Sequence, residues 1–199
     1  ESLLCCEKNK ADFFGMIFYE KSPRNITFNE AETLINTSKK LRIKPVGVFV
    51  DHEINDLKKI ISSLSLKYIQ LHGSEHQLYI DEIKNQFDIK IIKKISINES
   101  KDLIMINKFK NVDYLLFDYK PDNNELPGGN AKSFDWNLLK GYQIKLPWFI
   151  SGGINETNIK KIQNLLNPNG IDLSSGVEVS KGIKSNSKIN NLFKKFYDN

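Results

Sequence analysis

The stretch Leu146–Glu178, LPWFISGGINETNIKKIQNLLNPNGIDLSSGVE, decides how the rest of the chain is read. It holds two short runs of strand character, Trp148-Phe149-Ile150 and Ile171-Asp172-Leu173. Each ends in small residues: Ser151-Gly152-Gly153 after the first, Ser174-Ser175-Gly176 after the second. Between them Ile159, Ile162, Leu165 and Leu166 recur with the helical period. The order is therefore strand, glycine turn, helix, strand, serine-glycine turn. Glycine lets backbone N–H groups approach a ligand closely, and a helix N-terminus behind the turn adds positive dipole. Two such turns at neighbouring strand ends make a phosphate cup, as (β/α)8 barrels often do after their last two strands. An irregular βα turn that binds nothing has the same local composition, and one turn alone does not separate the two readings.

Working outward, the same grammar repeats. FFGMIF at 13–18, VGVFV at 46–50, YIQL at 68–71, the run at 89–95 and YLLF at 114–117 read as buried strands. Helical spacing follows each: Ala31, Leu34 and Ile35 behind the capping box Thr27-x-x-Glu30, then Leu57, Ile60, Ile61 and Leu64, then Tyr79, Ile80, Ile83 and Phe87, then a helix at 103–109. A long polar loop at 119–133 leads to a short helix near Asp135-Trp136. The chain closes on a helix with Ile189, Leu192, Phe193 and Phe196 on one face. Typical strand starts recur about every 22–23 residues, and strands that are apolar throughout require helices on their flanks. Seven strands are counted. A doubly wound sheet holds that number; a barrel needs eight, and a helical segment at Leu3–Asn9 comes before the first strand. The expected fold is α/β, a (β/α)8 barrel in one domain spanning 1–199, whose first strand is not in this sequence. The chain opens on Glu1, so the expectation is that the gene product begins upstream.

Composition excludes several classes. With 199 residues and 40% hydrophobic content, one domain with a sizeable core is expected. No apolar run reaches membrane-spanning length, and Leu3-Leu4-Cys5-Cys6 is too short for a secretory signal. Adjacent Cys5 and Cys6 make a poor disulfide framework, so a reduced, cytoplasmic protein is expected, with both cysteines filling a helix. The net charge of +5 comes from scattered lysines without interleaved aromatics, which reads as a compositional bias rather than a nucleic-acid patch and is also compatible with a small anionic substrate.

In a barrel, chemistry gathers at the C-terminal ends of the strands. This chain places Arg24, Gln70, His72 and Asp118 there, together with the two small-residue turns. Arg24 is either a partner for a carboxylate or a solvated loop charge. His72 is either a ligand or a turn histidine. Asp118 is either an acid or a turn-former. No His/Cys/Asp/Glu cluster has metal-ligand spacing, and neither a Ser–His–Asp set nor a P-loop is present.

The segments FYEKSPRNIT, VGVFV, IQLHGSE, LLFDYK, PGGNAKSFDW, SGGINETN and IDLSSGVE, in this order and spacing, resemble phosphoribosylanthranilate isomerase of tryptophan biosynthesis over the whole chain. The resemblance implies an Amadori rearrangement of N-(5-phosphoribosyl)anthranilate with no metal and no cofactor, since the substrate's own imine is the electron sink. It implies Asp118 as the general acid, and Arg24 as the cation for the anthranilate carboxylate. Gln70 and His72 fall beside the substrate. Gly152, Gly153, Ser175 and Gly176 fall around its phosphate, with Asp172 and Ser174 nearby. The implied partner is the phosphorylated anthranilate substrate, with no nucleic acid and no membrane. The family's base, a cysteine in Lys-x-Cys-Gly at the end of strand one, is not found in this sequence, and Cys5 and Cys6 fall on the following helix. The chain by itself is therefore expected not to isomerise its substrate. A non-catalytic barrel that binds a phosphorylated ligand is the alternative. Indole-glycerol-phosphate synthase, a related barrel enzyme, lacks support because its lysine base and Glu pair are not seen at the strand ends.

Overall fold

The computed structural model describes residues 1–122 and 124–198; Asn123, in the polar loop predicted at 119–133, and Asn199 lie outside it. Seven strands form one parallel sheet in sequential order: β1 (Phe13–Phe18), β2 (Lys44–Phe49), β3 (Tyr68–Leu71), β4 (Lys90–Ile97), β5 (Tyr114–Tyr119), β6 (Trp148–Ile150) and β7 (Gly170–Ile171). Sequential order excludes the doubly wound alternative, whose strand order reverses at a switch point. Helices α1 (Ser2–Lys8), α2 (Phe28–Ser38), α3 (Ile54–Ser63), α4 (Gln77–Gln86), α5 (Ile159–Leu165) and α6 (Asn186–Tyr197) flank the sheet.

The sheet curls. Neighbouring strands lie about 4.8 Å apart, so in a flat sheet β3 and β7 would be separated by roughly 19 Å, and β1 and β6 by roughly 24 Å. Instead Gln70 Nε2 on β3 reaches the Asp172 carboxylate just past β7 at 3.2 Å. The Phe13 and Phe149 rings, on β1 and β6, have centroids 6.2 Å apart. Strand alternation then sorts the side chains. Val46, Ile92 and Leu116 face the hollow, with Phe13, Tyr68, Tyr114 and Phe149 packed on them. Their neighbours Phe49, Ile69, Ile91 and Phe117 face the helices in the larger core, where Leu57, Ile61, Ile80 and Ile83 meet them. The edges of β1 and β7 pair only with β2 and β6 among the described residues.

The predicted capping box opens α2: the Glu30 carboxylate accepts from the Thr27 N–H at 2.7 Å and Thr27 Oγ1 accepts from the Glu30 N–H at 3.3 Å. Some details differ from the sequence reading. The helix expected at 103–109 is a 3₁₀ segment, Ser100–Asn107. β7 ends at Ile171, although the Asp172 N–H still donates to Ile150 O at 2.9 Å. A short antiparallel hairpin, β8 (Glu178–Ser180) with β9 (Ile183–Lys184), was not foreseen. Its turn uses Gly182 at φ 86°, a left-handed backbone that favours glycine. The hairpin brings Lys184 back onto Glu178 and Ser174.

Candidate active site

The polar residues collect where the strands of the hollow end. Gln70 and His72 follow Tyr68 on one face of β3, Asp118 follows Leu116 on β5, and Ser151 follows Phe149 on β6; Gln70, Asp118 and Ser151 each lie two residues beyond an apolar side chain of the lower layer, and His72 two residues beyond Gln70. They form a chain of contacts across the mouth. His72 Nδ1 lies 2.8 Å from Gln70 Oε1, and Gln70 Nε2 donates to Asp172 Oδ2 at 3.2 Å. With the amide oxygen as its acceptor, Nδ1 carries a proton. His72 Nε2 then faces Asp118 Oδ2 at 3.3 Å. That contact falls short of a hydrogen bond, so Nε2 is buried without a full partner.

The two carboxylates are pushed apart in acidity. Burial raises Asp118, but His72 and Lys94 outweigh it and hold the group below the usual carboxylate range. Burial raises Asp172, and the neighbouring Asp118 charge adds to that, so Asp172 takes up a proton more readily than an exposed aspartate. Tyr119 N–H donates to Asp118 Oδ1 at 2.8 Å and fixes the rotamer.

Arg24 is not a solvated charge. Its Nε and Nη2 donate to the two oxygens of Glu178, each at 2.8 Å, and both side chains are almost wholly buried. Lys184 Nζ adds a third contact to Glu178 at 2.9 Å. Burial works against the Glu178 charge, but Arg24 and Lys184 prevail and bring its pKa to about 2. The fork fixes the guanidinium plane and leaves Nη1 beside Gly129, where an added Cβ would come within 2.4 Å. The sequence reading placed Arg24 here but did not foresee Glu178, which sits in the quoted SSGVE.

The two small-residue turns are adjacent. A Cβ on Gly176 would collide with Ile154 O, so the turn after β7 packs directly on the turn after β6. Gly152 and Gly153 adopt φ of 91° and 64°. Asn155 and Asn158 side chains both donate to Gly153 O, at 3.1 and 2.9 Å, and so occupy that carbonyl. Among the described residues, none accepts a hydrogen bond from the N–H of Gly152 or Gly153. Ser175 opens a single 3₁₀ turn, Ser175–Val177, and Ser174 O accepts from Lys184 Nζ at 3.0 Å. A Cβ on Gly152 would lie 3.1 Å from Asp118 Oδ1, which puts the glycine turn and the acid side by side.

Two lysines of β4 escaped the sequence reading. Lys93 points away from the hollow and is buried with Glu75, 2.6 Å away, while also donating to Gly73 O at 2.8 Å. Glu75 in turn accepts from the Asp51 and Gly73 N–H groups at 3.0 and 3.1 Å. This network holds the turn that aims His72. Lys94 points into the hollow and donates to Pro127 O at 3.0 Å. A pair of lysines inside an apolar strand was the available signal. Cys5 and Cys6 lie on α1, as the sequence implies: Cys5 Sγ sits 3.4 Å from Asn190 Oδ1 on α6, and burial, then Cys5, raises the Cys6 thiol against the pull of Lys184. Among the described residues, no group of three His, Cys, Asp or Glu is placed to hold a metal ion.

The family profile of N-(5'phosphoribosyl)anthranilate (PRA) isomerase matches residues 2–195. The chain belongs to the phosphoribosylanthranilate isomerase family. The N-(5'-phosphoribosyl)anthranilate isomerase of Zymomonas mobilis is 39% identical over 95% of this chain and 89% of its own length. The one from Paramagnetospirillum magneticum is 36% identical over 92% of this chain and 86% of its own. Among solved structures, phosphoribosyl anthranilate isomerase from Thermotoga maritima superimposes with a TM-score of 0.85 at 29% identity, covering 98% of this chain and 92% of that one. The curled seven-stranded sheet described above thus matches the fold of that enzyme. No helix among the described residues is long and apolar enough to cross a membrane.

Proposed function

We propose that this protein is a phosphoribosylanthranilate isomerase, acting in the cytoplasm on N-(5-phosphoribosyl)anthranilate in tryptophan biosynthesis. The reaction is an aldose–ketose isomerisation, an internal oxidation–reduction in which C1 is reduced as C2 is oxidised. One observation carries the site assignment: the mouth joins a glycine turn with free N–H groups to an aspartate, with a held arginine on the rim. A related structure contains reduced 1-(o-carboxyphenylamino)-1-deoxyribulose 5-phosphate, at 27% identity and a TM-score of 0.82. That ligand carries a phosphate and a carboxylate, the two anions that these features suit.

Substrate phosphate binds between Gly152-Gly153 and Ser175-Gly176, on backbone donors. The anthranilate carboxylate binds Arg24 through the N–H groups that Glu178 leaves free. Asp118 gives a proton to the furanose ring oxygen as the C1–O bond breaks, leaving a Schiff base. A base then removes the C2 proton, and the electrons move onto the imine. An acid must carry a proton, yet Asp118 is ionised in the ligand-free site by the charges around it. A phosphate dianion arriving beside it raises its affinity for a proton, because like charges at short range disfavour ionisation. Binding and acid activation are coupled in this way.

The base is the remaining part. The thiols of α1 face α6, where Cys5 Sγ meets Asn190. A strand pairing with both β7 and β1 would close the sheet into the eight-stranded barrel, and a cysteine at its C-terminal end would complete the site. The test is complementation of a tryptophan auxotroph lacking this step, by the chain alone and by the chain extended with a strand ending in Lys-x-Cys-Gly. Growth with the extended form only supports the assignment. Rescue by the chain alone shows that the base lies elsewhere; rescue by neither removes the isomerase reading.

A further inference from the structure

Strand alternation sends the two lysines of β4 to opposite faces. Lys93 finds Glu75. Among the described residues, Lys94 finds no carboxylate at hydrogen-bonding distance. It pairs in register with Leu116, one layer below the Ser96–Asp118 pair, so its Cα sits among apolar residues and its stem climbs the wall of the hollow. The residue is 7% exposed. An ammonium has three hydrogens to donate, and among the described residues Pro127 O is the one acceptor within hydrogen-bond distance. Burying a charge with so few partners is unfavourable, and an apolar side chain of the same length would fill this wall without that penalty.

What the ammonium touches suggests its use. Residues 127–132 cross the mouth. Pro127 O rests on Lys94, Gly128 packs on His72 Nε2, Gly129 packs on Arg24 Nη1, and the Ala131 and Lys132 backbone lies against Gly152 and Gly153. This one segment thus meets the rim residues of the proposed site, and Lys94 is its tie to the barrel wall. The charged groups around Lys94 are Asp118 on β5, Lys93 beside it, and Glu75 and Asp51 from the turns after β3 and β2. His72 and Asp172 face the same Asp118 from β3 and β7. Burial, against the pull of Asp118, lowers Lys94 to about 8.

We infer that Lys94 is a positioning residue: its ammonium fastens residues 127–132 across the mouth and supplies positive charge beneath the bound anion, so that ligand affinity depends on its charge. The choice of ligand rests on the isomerase reading; the fastening rests on the Lys94–Pro127 contact alone. Two measurements on the full chain separate them. Hydrogen exchange of the amides of Leu126 and Gly128 to Ala131, without ligand, reads the fastening. Affinity for reduced 1-(o-carboxyphenylamino)-1-deoxyribulose 5-phosphate between pH 6.5 and 9.5 reads the charge.

In Lys94→Met these amides exchange about tenfold faster and the ligand binds about tenfold more weakly at pH 7, while the melting temperature stays level or rises. Wild-type affinity falls as pH passes 8. Lys94→Met shows no such fall, and Lys94→Arg, charged throughout, binds tightly across the range. Unchanged exchange and affinity in Lys94→Met overturn the inference. So does a lowered melting temperature that Lys94→Arg fails to restore, since that marks a purely structural role. If the wild type does not bind the ligand at all, the isomerase reading fails, and the exchange measurement still decides the fastening.

Discussion

The hollow of the sheet has two layers, built from the same faces of the same strands and only two residues apart. In the lower, Phe13, Val46, Tyr68, Ile92, Tyr114, Leu116 and Phe149 pack on one another. In the upper, Gln70, Asp118 and Ser151 are buried polar groups, and the Lys94 ammonium climbs from beside Leu116 towards them. The lower layer is what burial of apolar area produces. The upper layer runs against it: an ionised aspartate, a histidine nitrogen without a full partner and a lysine with one acceptor are all kept from water. The difference teaches where stability is made and where it is spent. A fold that placed every apolar residue inside would extend the lower layer to the rim, and these strands stop doing so two residues short.

Substitutions sharpen this contrast, beginning with the largest effect. In the isomerase carrying its base, Asp118→Asn should lower kcat by about 10²–10⁴ with little change in urea stability, because a general acid acts on the barrier and not on the fold. Next, Glu178→Ala should destabilise by about 3–5 kcal/mol, since Arg24 would be left buried without its partner. Glu178 also gives the pattern a pH signature. Its folded pKa of about 2 lies below the unfolded value of about 4.3, so its contribution is present above that unfolded value and is lost as pH falls towards 2. Stability measured from pH 6 to 2 should therefore fall less steeply in Glu178→Gln than in the wild type. In the lower layer, Leu116→Ala should cost about 2–5 kcal/mol in urea unfolding and leave the pH dependence of ligand binding unaltered. A lower-layer change that shifted that pH dependence would break the division between layers. At the small end, Thr27→Ala removes a helix cap remote from the mouth and should cost about 0.5–2 kcal/mol with no effect on binding.

How much of this was legible in the sequence follows the range of the interactions. The strands, the helices and the capping box of α2 rest on periodicity and on contacts three residues apart, and these were readable. So were the residues at the mouth, because strand ends carry them: Gln70, His72, Asp118 and the two small-residue turns stand directly after apolar runs. What was not legible depends on curvature. Arg24 and Glu178 are 154 residues apart and meet only because the sheet curls. The Lys93–Glu75 pair and the Lys94–Pro127 contact lie inside what reads as an apolar strand and a polar loop. The β8–β9 hairpin has only three and two residues, too few for a period to register.

The most direct test of the account is a crystal structure of the chain with reduced 1-(o-carboxyphenylamino)-1-deoxyribulose 5-phosphate. The account predicts phosphate on the N–H groups of Gly152, Gly153, Ser175 and Gly176, carboxylate on Arg24 with the Glu178 fork intact, and the sugar chain beside Asp118. Phosphate bound away from the two turns, or a carboxylate that does not touch Arg24, would contradict it.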